Sequence, residues 1–452
     1  MADTPTSARL PDPGVRDLFT REARWQAWLD VEAALARAEA SLGMIPAEAA
    51  VEIESKCDLS LFDLEAVREG LVRTGHPLVP LIWELDRLCE GDAGGYAHWG
   101  ATTQNITQTG EILQLRRVHA VFLSQFGRAL AALADLAERT AEMTLPGRTH
   151  GQHAVPATFG LKVATWIDEL SRHVERLRQI EPRLFVAMLG GAAGTAASFG
   201  EQGLAVQERL ASELDLTPMA VPSRTTGDHL TEYVLLLGLV AGTCGKLGHE
   251  IYELMKQEFG EVEEPVPPGT VGSSTMPQKR NPKLSQDLMA MTTQVRALVP
   301  VALEAMLTEH EADRTTSDLI HHALHESCAL TGDILERVIA VAEGLQVFPE
   351  RMRGNVDLSN GLIMAERLML ELGASIGRQR AHDVVYEAAQ EAAVGGASFR
   401  ELLLADADVS AALDAPAIDR LLDPTTYTGA CASMAREQAA RGLALSAELA
   451  AH

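Results

Sequence analysis

Over residues 21–42 the apolar and alanine positions return at helical spacing, through Trp25, Trp28, Leu29, Val31, Leu35 and Ala38. Gly43 and Pro46 close that run, the first as a C-cap and the second as a stop. The same period marks residues 46–56, 61–72, 80–88 and 204–214. Longer runs cover residues 107–143, 157–180, 229–260, 284–307 and 317–343, and they are rich in Ala and Leu. Polar stretches bearing Gly or Pro separate them. No sustained alternation of apolar and polar positions marks a strand, and no internal repeat is visible. The pattern therefore predicts an all-α fold with three helical domains. They are an N-terminal domain over residues 1–110, a central long-helix bundle over 111–350 and a small C-terminal domain of shorter helices over 351–452.

Composition narrows the function. Aromatic residues are only 4% of the 452-residue chain, so the core should be close helix-on-helix packing of small side chains. A net charge of -25 makes nucleic acid and anionic membranes poor partners. An anionic substrate would then have to be met by a local cluster of cations or by helix N-termini. The five cysteines form no CxxC pair and fit scattered thiols in a cytoplasmic protein. No signal-peptide pattern and no uninterrupted apolar run of membrane-spanning length is expected.

The polar breaks carry the candidate chemistry. Gly272-Ser273-Ser274-Thr275-Met276-Pro277-Gln278-Lys279-Arg280-Asn281-Pro282 holds two prolines and cannot be an interior helix or central strand. Its adjacent hydroxyls, with a lysine and an asparagine close behind, suit a site that binds an anion and moves a proton. The plain alternative is a solvated linker. Thr102, Thr103 and Asn105 are good capping residues at the start of a long helix, where free N–H groups make a ready anion site. Arg148-Thr149-His150-Gly151-Gln152 interrupts the next two helical runs, and histidine is the side chain best suited to proton transfer near neutral pH. Arg224 is a further candidate clamp for a carboxylate.

At every fixed position, residues 272–282 match the signature loop of the fumarase/aspartase superfamily, which the chain resembles over nearly its whole length. The resemblance implies β-elimination or its reverse on a substrate built around succinate, with no metal or organic cofactor. It places the base at Ser273 and a substrate carboxylate at Lys279 and Asn281, with Ser274 and Met276 lining the site. The stretch at Thr149, His150 and Gln152 resembles the second superfamily region, where a Thr-His pair holds substrate and protonates the leaving group. Thr102 and Thr103 resemble the first region, which binds a second carboxylate. His76 aligns with a histidine that adenylosuccinate lyases keep beside the catalytic one. A small polycarboxylate substrate and a homotetramer with sites assembled from three chains are also implied.

Within the superfamily, residues 29–38, 98–102, 190–195, 309–311 and 420–424 are similar to the 3-carboxy-cis,cis-muconate cycloisomerase and adenylosuccinate lyase branch. There are departures. Asn105 stands where cycloisomerases carry an aspartate, Arg224 adds a positive charge, and His150 is kept where some bacterial cycloisomerases lack the histidine. These favour a fumarate-releasing lyase acting on a substituted succinate with a nitrogen-linked leaving group, such as an N-substituted aspartate or nitrosuccinate. The alternative is the cycloisomerase reaction, in which the substrate's own carboxylate adds across a double bond. Adenylosuccinate lyase and a catalytically inactive structural homologue rank lower.

Overall fold

The computed structural model describes Thr4 and residues 6–451. Helices form where the apolar period places them. The N-terminal ones are α1 (Arg21–Ser41), α2 (Ala47–Lys56), α3 (Leu64–Thr74) and α4 (Val79–Leu88). The long ones are α5 (Thr103–Arg139), α6 (Phe159–Leu184), α8 (Asp228–Met255), α9 (Lys283–Glu304) and α10 (Arg314–Gly344), with the shorter α7 (Gly203–Glu213) between α6 and α8. Then come α11 (Pro349–Asp357), α12 (Ala365–Ile376), α13 (Arg378–Gly395), α14 (Phe399–Ala405), α15 (Ala407–Ala412), α16 (Ala415–Leu421) and α17 (Cys431–Ala450). The fold class is all-α, as expected.

The chain packs as two compact units, each built from separated stretches. The first comprises Met1–Gln125, His173–Gly242 and Ala290–Glu336; the second comprises Phe126–Arg172, Thr243–Met289 and Arg337–His452. In the first unit, Trp25, Trp28, Leu29 and Leu35 of α1 share a core with Ile53, Leu81, Ile106 and Phe199. In the second, Leu368, Leu372, Val384, Phe399, Leu403 and Ile418 form a core of their own. Each fully buried Leu, Ile or Phe contributes about 1.5–3 kcal/mol.

Small residues set the helix spacing, as the low aromatic content implies. Within the first unit, a Cβ on Gly238 of α8 would lie 2.7 Å from Val299 Cγ2 of α9. Within the second, a Cβ on Gly248 of α8 would lie 2.9 Å from Leu288 Cβ of α9.

Two features depart from the sequence reading. Short strands are present: β1 (Thr144–Thr149) pairs antiparallel with β2 (Gln152–Thr158), β3 (Val186–Ala187) pairs parallel with β4 (Thr217–Pro218), and β5 (Val262–Glu263) pairs antiparallel with β6 (Gln346–Val347). The first pair is a true hairpin. Its alternation is masked in the sequence because Pro146 faces Pro156 and the register shifts between Pro146 and Arg148. In addition, α5 and α8 are long and apolar enough by composition to cross a bilayer. Over their most apolar windows, 56% and 67% of the residues are buried within the protein, which is the behaviour of core helices.

The close approach of α8 and α9 yields a prediction. Gly238→Leu should overpack the contact with Val299 and lower stability by about 1–3 kcal/mol, read as a lower denaturation midpoint. An unchanged midpoint would mean that α8 and α9 do not need this spacing.

Candidate active site

In the first unit a cavity of about 720 Å³ is lined by the starts of α5 and α10, the loop before α8, the turn after α3 and part of α1. Thr103, Thr107 and Glu111 line it from successive turns of α5, with Gln104 and Gln108 beside them. His76 joins from the turn after α3. Its Nδ1 accepts the N–H groups of Leu78 and Val79 at 3.3 and 3.0 Å, so that nitrogen carries no proton. The ring proton then sits on Nε2, 3.2 Å from Thr103 Oγ1. Thr103 accepts it and keeps its own hydroxyl hydrogen free to donate.

Arg224 also lines this cavity. Its Nε donates to Gln104 Oε1 at 2.9 Å and another guanidinium nitrogen to the Ala192 carbonyl at 2.6 Å. Gln104 returns a bond to the Arg224 carbonyl at 2.8 Å. Among the described residues no carboxylate pairs with Arg224, and its desolvation lowers its pKa from the ordinary arginine value.

Asn105 occupies a different place. It is fully buried, and its Oδ1 accepts the Thr102 and Gly191 N–H groups at 3.0 and 3.1 Å. Its Nδ2 reaches Met188 Sδ at 3.0 Å. The amide is spent on fixing the start of α5, so Asn105 acts by positioning and not by touching a ligand. An aspartate here could not donate to Met188, which gives the departure at this position a structural reason. Thr102 is the residue that Asn105 holds and does not itself line the cavity.

The remaining expected residues belong to the second unit. His150 and Gly151 make the tip of the β1–β2 hairpin with φ values of 52° and 74°. Left-handed backbone fits the twist of a two-residue hairpin turn, and for a histidine it costs roughly 1–3 kcal/mol. The base of the hairpin restrains the strained tip. Arg148 donates to both carboxylate oxygens of Glu261 at 2.6 and 3.1 Å, and its guanidinium lies 4.9 Å from the Phe259 ring centroid. Glu261 is fully buried and also accepts from Asn355 Nδ2 at 2.7 Å. Thr149, His150 and Gln152 are left exposed, and the His150 side chain has no polar partner among the described residues.

The 272–282 loop closes on itself. Asn281 Nδ2 donates to the Gly272 carbonyl at 2.6 Å, so Asn281 holds the loop rather than standing free. Gly272 must be glycine, since a Cβ there would lie 1.8 Å from the Lys279 carbonyl oxygen. Inside the loop, the N–H groups of Thr275 and Met276 donate to Ser273 Oγ at 3.3 and 3.1 Å. Buried Glu264 accepts the N–H groups of Leu284 and Ser285 at 2.9 and 2.6 Å and fixes the helix that follows the loop. Ser274, Met276 and Lys279 are exposed, and Lys279 meets no carboxylate among the described residues.

The sequence reading missed one group. Glu111 on α5 accepts from His321 and His325 of α10, at 3.0 and 2.8 Å, and all three line the cavity. The signal was present as two histidines four apart on a helix and an acid in register with Thr103 and Thr107 on another. Among the described residues, no group of three or more His, Cys, Asp or Glu side chains is arranged to hold a metal ion.

The family model described as Lyase matches residues 8–297, and that described as Adenylosuccinate lyase C-terminus matches residues 361–437. The 3-carboxy-cis,cis-muconate cycloisomerase of Pseudomonas aeruginosa is 43% identical over 92% of this chain and 91% of its own length. The N-acetyl-S-(2-succino)cysteine lyase of Enterococcus italicus is 38% identical over 94% and 93%. Among solved structures, the 3-carboxy-cis,cis-muconate lactonizing enzyme of Pseudomonas putida superposes with a TM-score of 0.88 at 36% identity, covering 99% of this chain and all of the other.

The hairpin base can be tested without a substrate. Arg148→Ala leaves Glu261 buried and unpaired, and should cost about 3–5 kcal/mol in chemical denaturation. Arg148→Lys should recover only part of this, because the forked contact is lost. Native stability in Arg148→Ala would show that the pair does not support the hairpin.

Proposed function

The chain is a member of the fumarase/aspartase superfamily of lyases, and from that premise we propose that it acts, without a cofactor, at a carbon next to a carboxylate of a small polycarboxylate. The reading placed first is lactonisation of 3-carboxy-cis,cis-muconate or a close analogue. The observation that carries it is the 43% identity, over 92% of the chain, to a cycloisomerase. In this reaction one substrate carboxylate adds across a double bond. The carbanion left beside another carboxylate takes up a proton, and in reverse the same carbon loses it.

Ser273 is the proton-transferring group in this reading. The two N–H groups already aimed at its Oγ, from Thr275 and Met276, would meet negative charge developing on that oxygen. That is the condition a serine must meet to serve as a base. In the second unit Lys279 has no carboxylate partner, and in the first Arg224 stands in the wall of the cavity; each is a cation available to a substrate carboxylate. Thr103 offers a hydroxyl donor oriented by His76.

Fumarate-releasing elimination from a substituted succinate, which sequence alone puts first, becomes the second reading. His150 favours it. An unpartnered imidazole at a strained, exposed tip is suited to protonating a departing group, a step that lactonisation lacks. No feature of the site singles out nitrogen in that group. A relative is named for a succino group carried on sulfur, so thioethers stand beside N-substituted aspartates and nitrosuccinate.

The assembly in this proposal is a cytoplasmic homotetramer with active sites shared between subunits. It is supported by apolar side chains left on the long helices, with Leu239 of α8 52% exposed and Leu303 of α9 47% exposed.

The first test follows products by NMR. Lactone should form from 3-carboxy-cis,cis-muconate, while nitrosuccinate, adenylosuccinate, argininosuccinate and S-(2-succino)cysteine report elimination as fumarate. Fumarate with no lactone would put the second reading first. On the active substrate, Ser273→Ala should abolish turnover, and Gly272→Ala, which forces the loop open, should lower it ~100-fold with little change in melting temperature. Native turnover in either variant would remove the loop from the mechanism. On a substrate that releases fumarate, where His150 is needed, mixed Ser273→Ala and His150→Ala subunits should regain activity absent from both parents, and hybrids no better than the parents would overturn the shared site.

A further inference from the structure

The cluster of Glu111, His321 and His325 has no part in the reaction described so far. Glu111 is 4% exposed and lies between two imidazole Nε2 atoms at 3.0 and 2.8 Å. A carboxylate accepts from both only if each ring carries its proton on Nε2. The nitrogen left over in each ring is Nδ1, and neither histidine shows a further polar partner among the described residues. The His325 ring stacks on Phe19 with centroids 4.1 Å apart, so it is fixed on a second side. His321 is the more open of the two, with 42% of its side chain accessible against 19% for His325.

We infer that this cluster is a second anion-recognition point of the cavity, with His321 donating from Nδ1 to a distal carboxylate of a ligand whose other carboxylates are met by Arg224 and Thr103. The inference rests on the polycarboxylate reading above and deepens it, by selecting tricarboxylates over succinate-sized dicarboxylates. Glu111 is the positioning residue, since it holds the ring and does not touch the ligand.

The charges around His321 support this role. The attraction of Glu111 pushes the His321 pKa up, and burial opposes that without cancelling it. Burial would raise Glu111 in turn, but the two histidines outweigh it and hold its carboxyl well below the usual range. Arg24 of α1 also lines the cavity and lowers the His321 pKa, whereas Asp318 of α10 raises it and is paired with Arg314 at 3.3 Å. His229 of α8 is buried with its Nε2 unpartnered, and burial pushes its pKa down, so it adds no charge. Asp313 also lines the cavity and accepts the Thr315 amide. Once His321 is protonated, it and Arg24, Arg224 and Arg314 outweigh Glu111, Asp313 and Asp318. A bound carboxylate favours the imidazolium, so its binding is strongest below the raised pKa of His321 and is lost as pH rises through it.

The test is calorimetric binding of propane-1,2,3-tricarboxylate and of succinate to the full-length protein at about pH 6 and about pH 8. The native protein should bind the tricarboxylate ~10-fold more tightly at the lower pH, with a smaller change for succinate. His321→Gln should lose that preference and the pH dependence together. Glu111→Gln should shift the pH dependence to lower pH, because the ring loses the charge that raises its pKa. Arg224→Gln should weaken both ligands at both pH values and keep the pH dependence. Tricarboxylate binding in His321→Gln with native affinity and native pH dependence would overturn the cluster's role and leave the polycarboxylate reading intact. If neither probe bound the native protein at either pH, both would fall.

Discussion

Orphan N–H groups at helix starts are the constraint around which the candidate functional loops of each unit are built. A helix leaves its first amides without partners, and they must be satisfied locally. Here the residues that satisfy them also fix the functional loops. His76 takes two amides at the start of α4 and, by doing so, fixes its own tautomer toward Thr103. Asn105 takes the Thr102 amide at the start of α5 and that of Gly191 as well. Glu264 takes two amides at the start of α9, directly after the loop that carries Ser273 and Lys279. In each case a structural need of the backbone is met by a side chain whose position decides where a reactive or binding group stands.

The same accounting separates residues that hold the site from those free to act. The side-chain amide nitrogens of Asn281 and Asn105 and both terminal nitrogens of Arg148 donate inside the protein. Lys279 and the His150 side chain do not, among the described residues. Resemblance to a family pattern puts all of these residues in one motif set and cannot divide them. Hydrogen-bond satisfaction divides them, because a buried amide or guanidinium that has found its partners gains nothing from leaving them for a ligand.

Much of this was legible in the sequence. Helix periodicity located the long helices to within a few residues, since an apolar stripe at helical spacing has few other ways to be buried. The apolar period begins only at residue 107, inside α5, because Thr103, Gln104 and Asn105 are polar and only the cap geometry shows that they belong to the first turn. The hairpin at His150 escaped because two prolines and a register shift break the alternation that identifies a strand. The Glu111 cluster escaped for another reason. Its members lie about 210 residues apart, and only packing brings them together.

Charge gives the cavity its meaning. The chain carries 63 acidic side chains against 38 Lys and Arg, so most cations should find a carboxylate nearby. Many do, in surface pairs worth little to stability. Against that background a cation that stays unpaired beside a cavity is unusual. Arg224 donates to the Gln104 amide oxygen and the Ala192 carbonyl, and its own carbonyl accepts from Gln104, which orients the guanidinium without neutralising it. An acidic protein that binds an anion has to exclude its own carboxylates from the site. The carboxylates that do line this cavity are engaged: Asp318 pairs with Arg314, Asp313 accepts the Thr315 amide, and Glu111 is held between two histidines. The negative charge of Glu111 thereby raises the proton affinity of His321 instead of repelling the ligand.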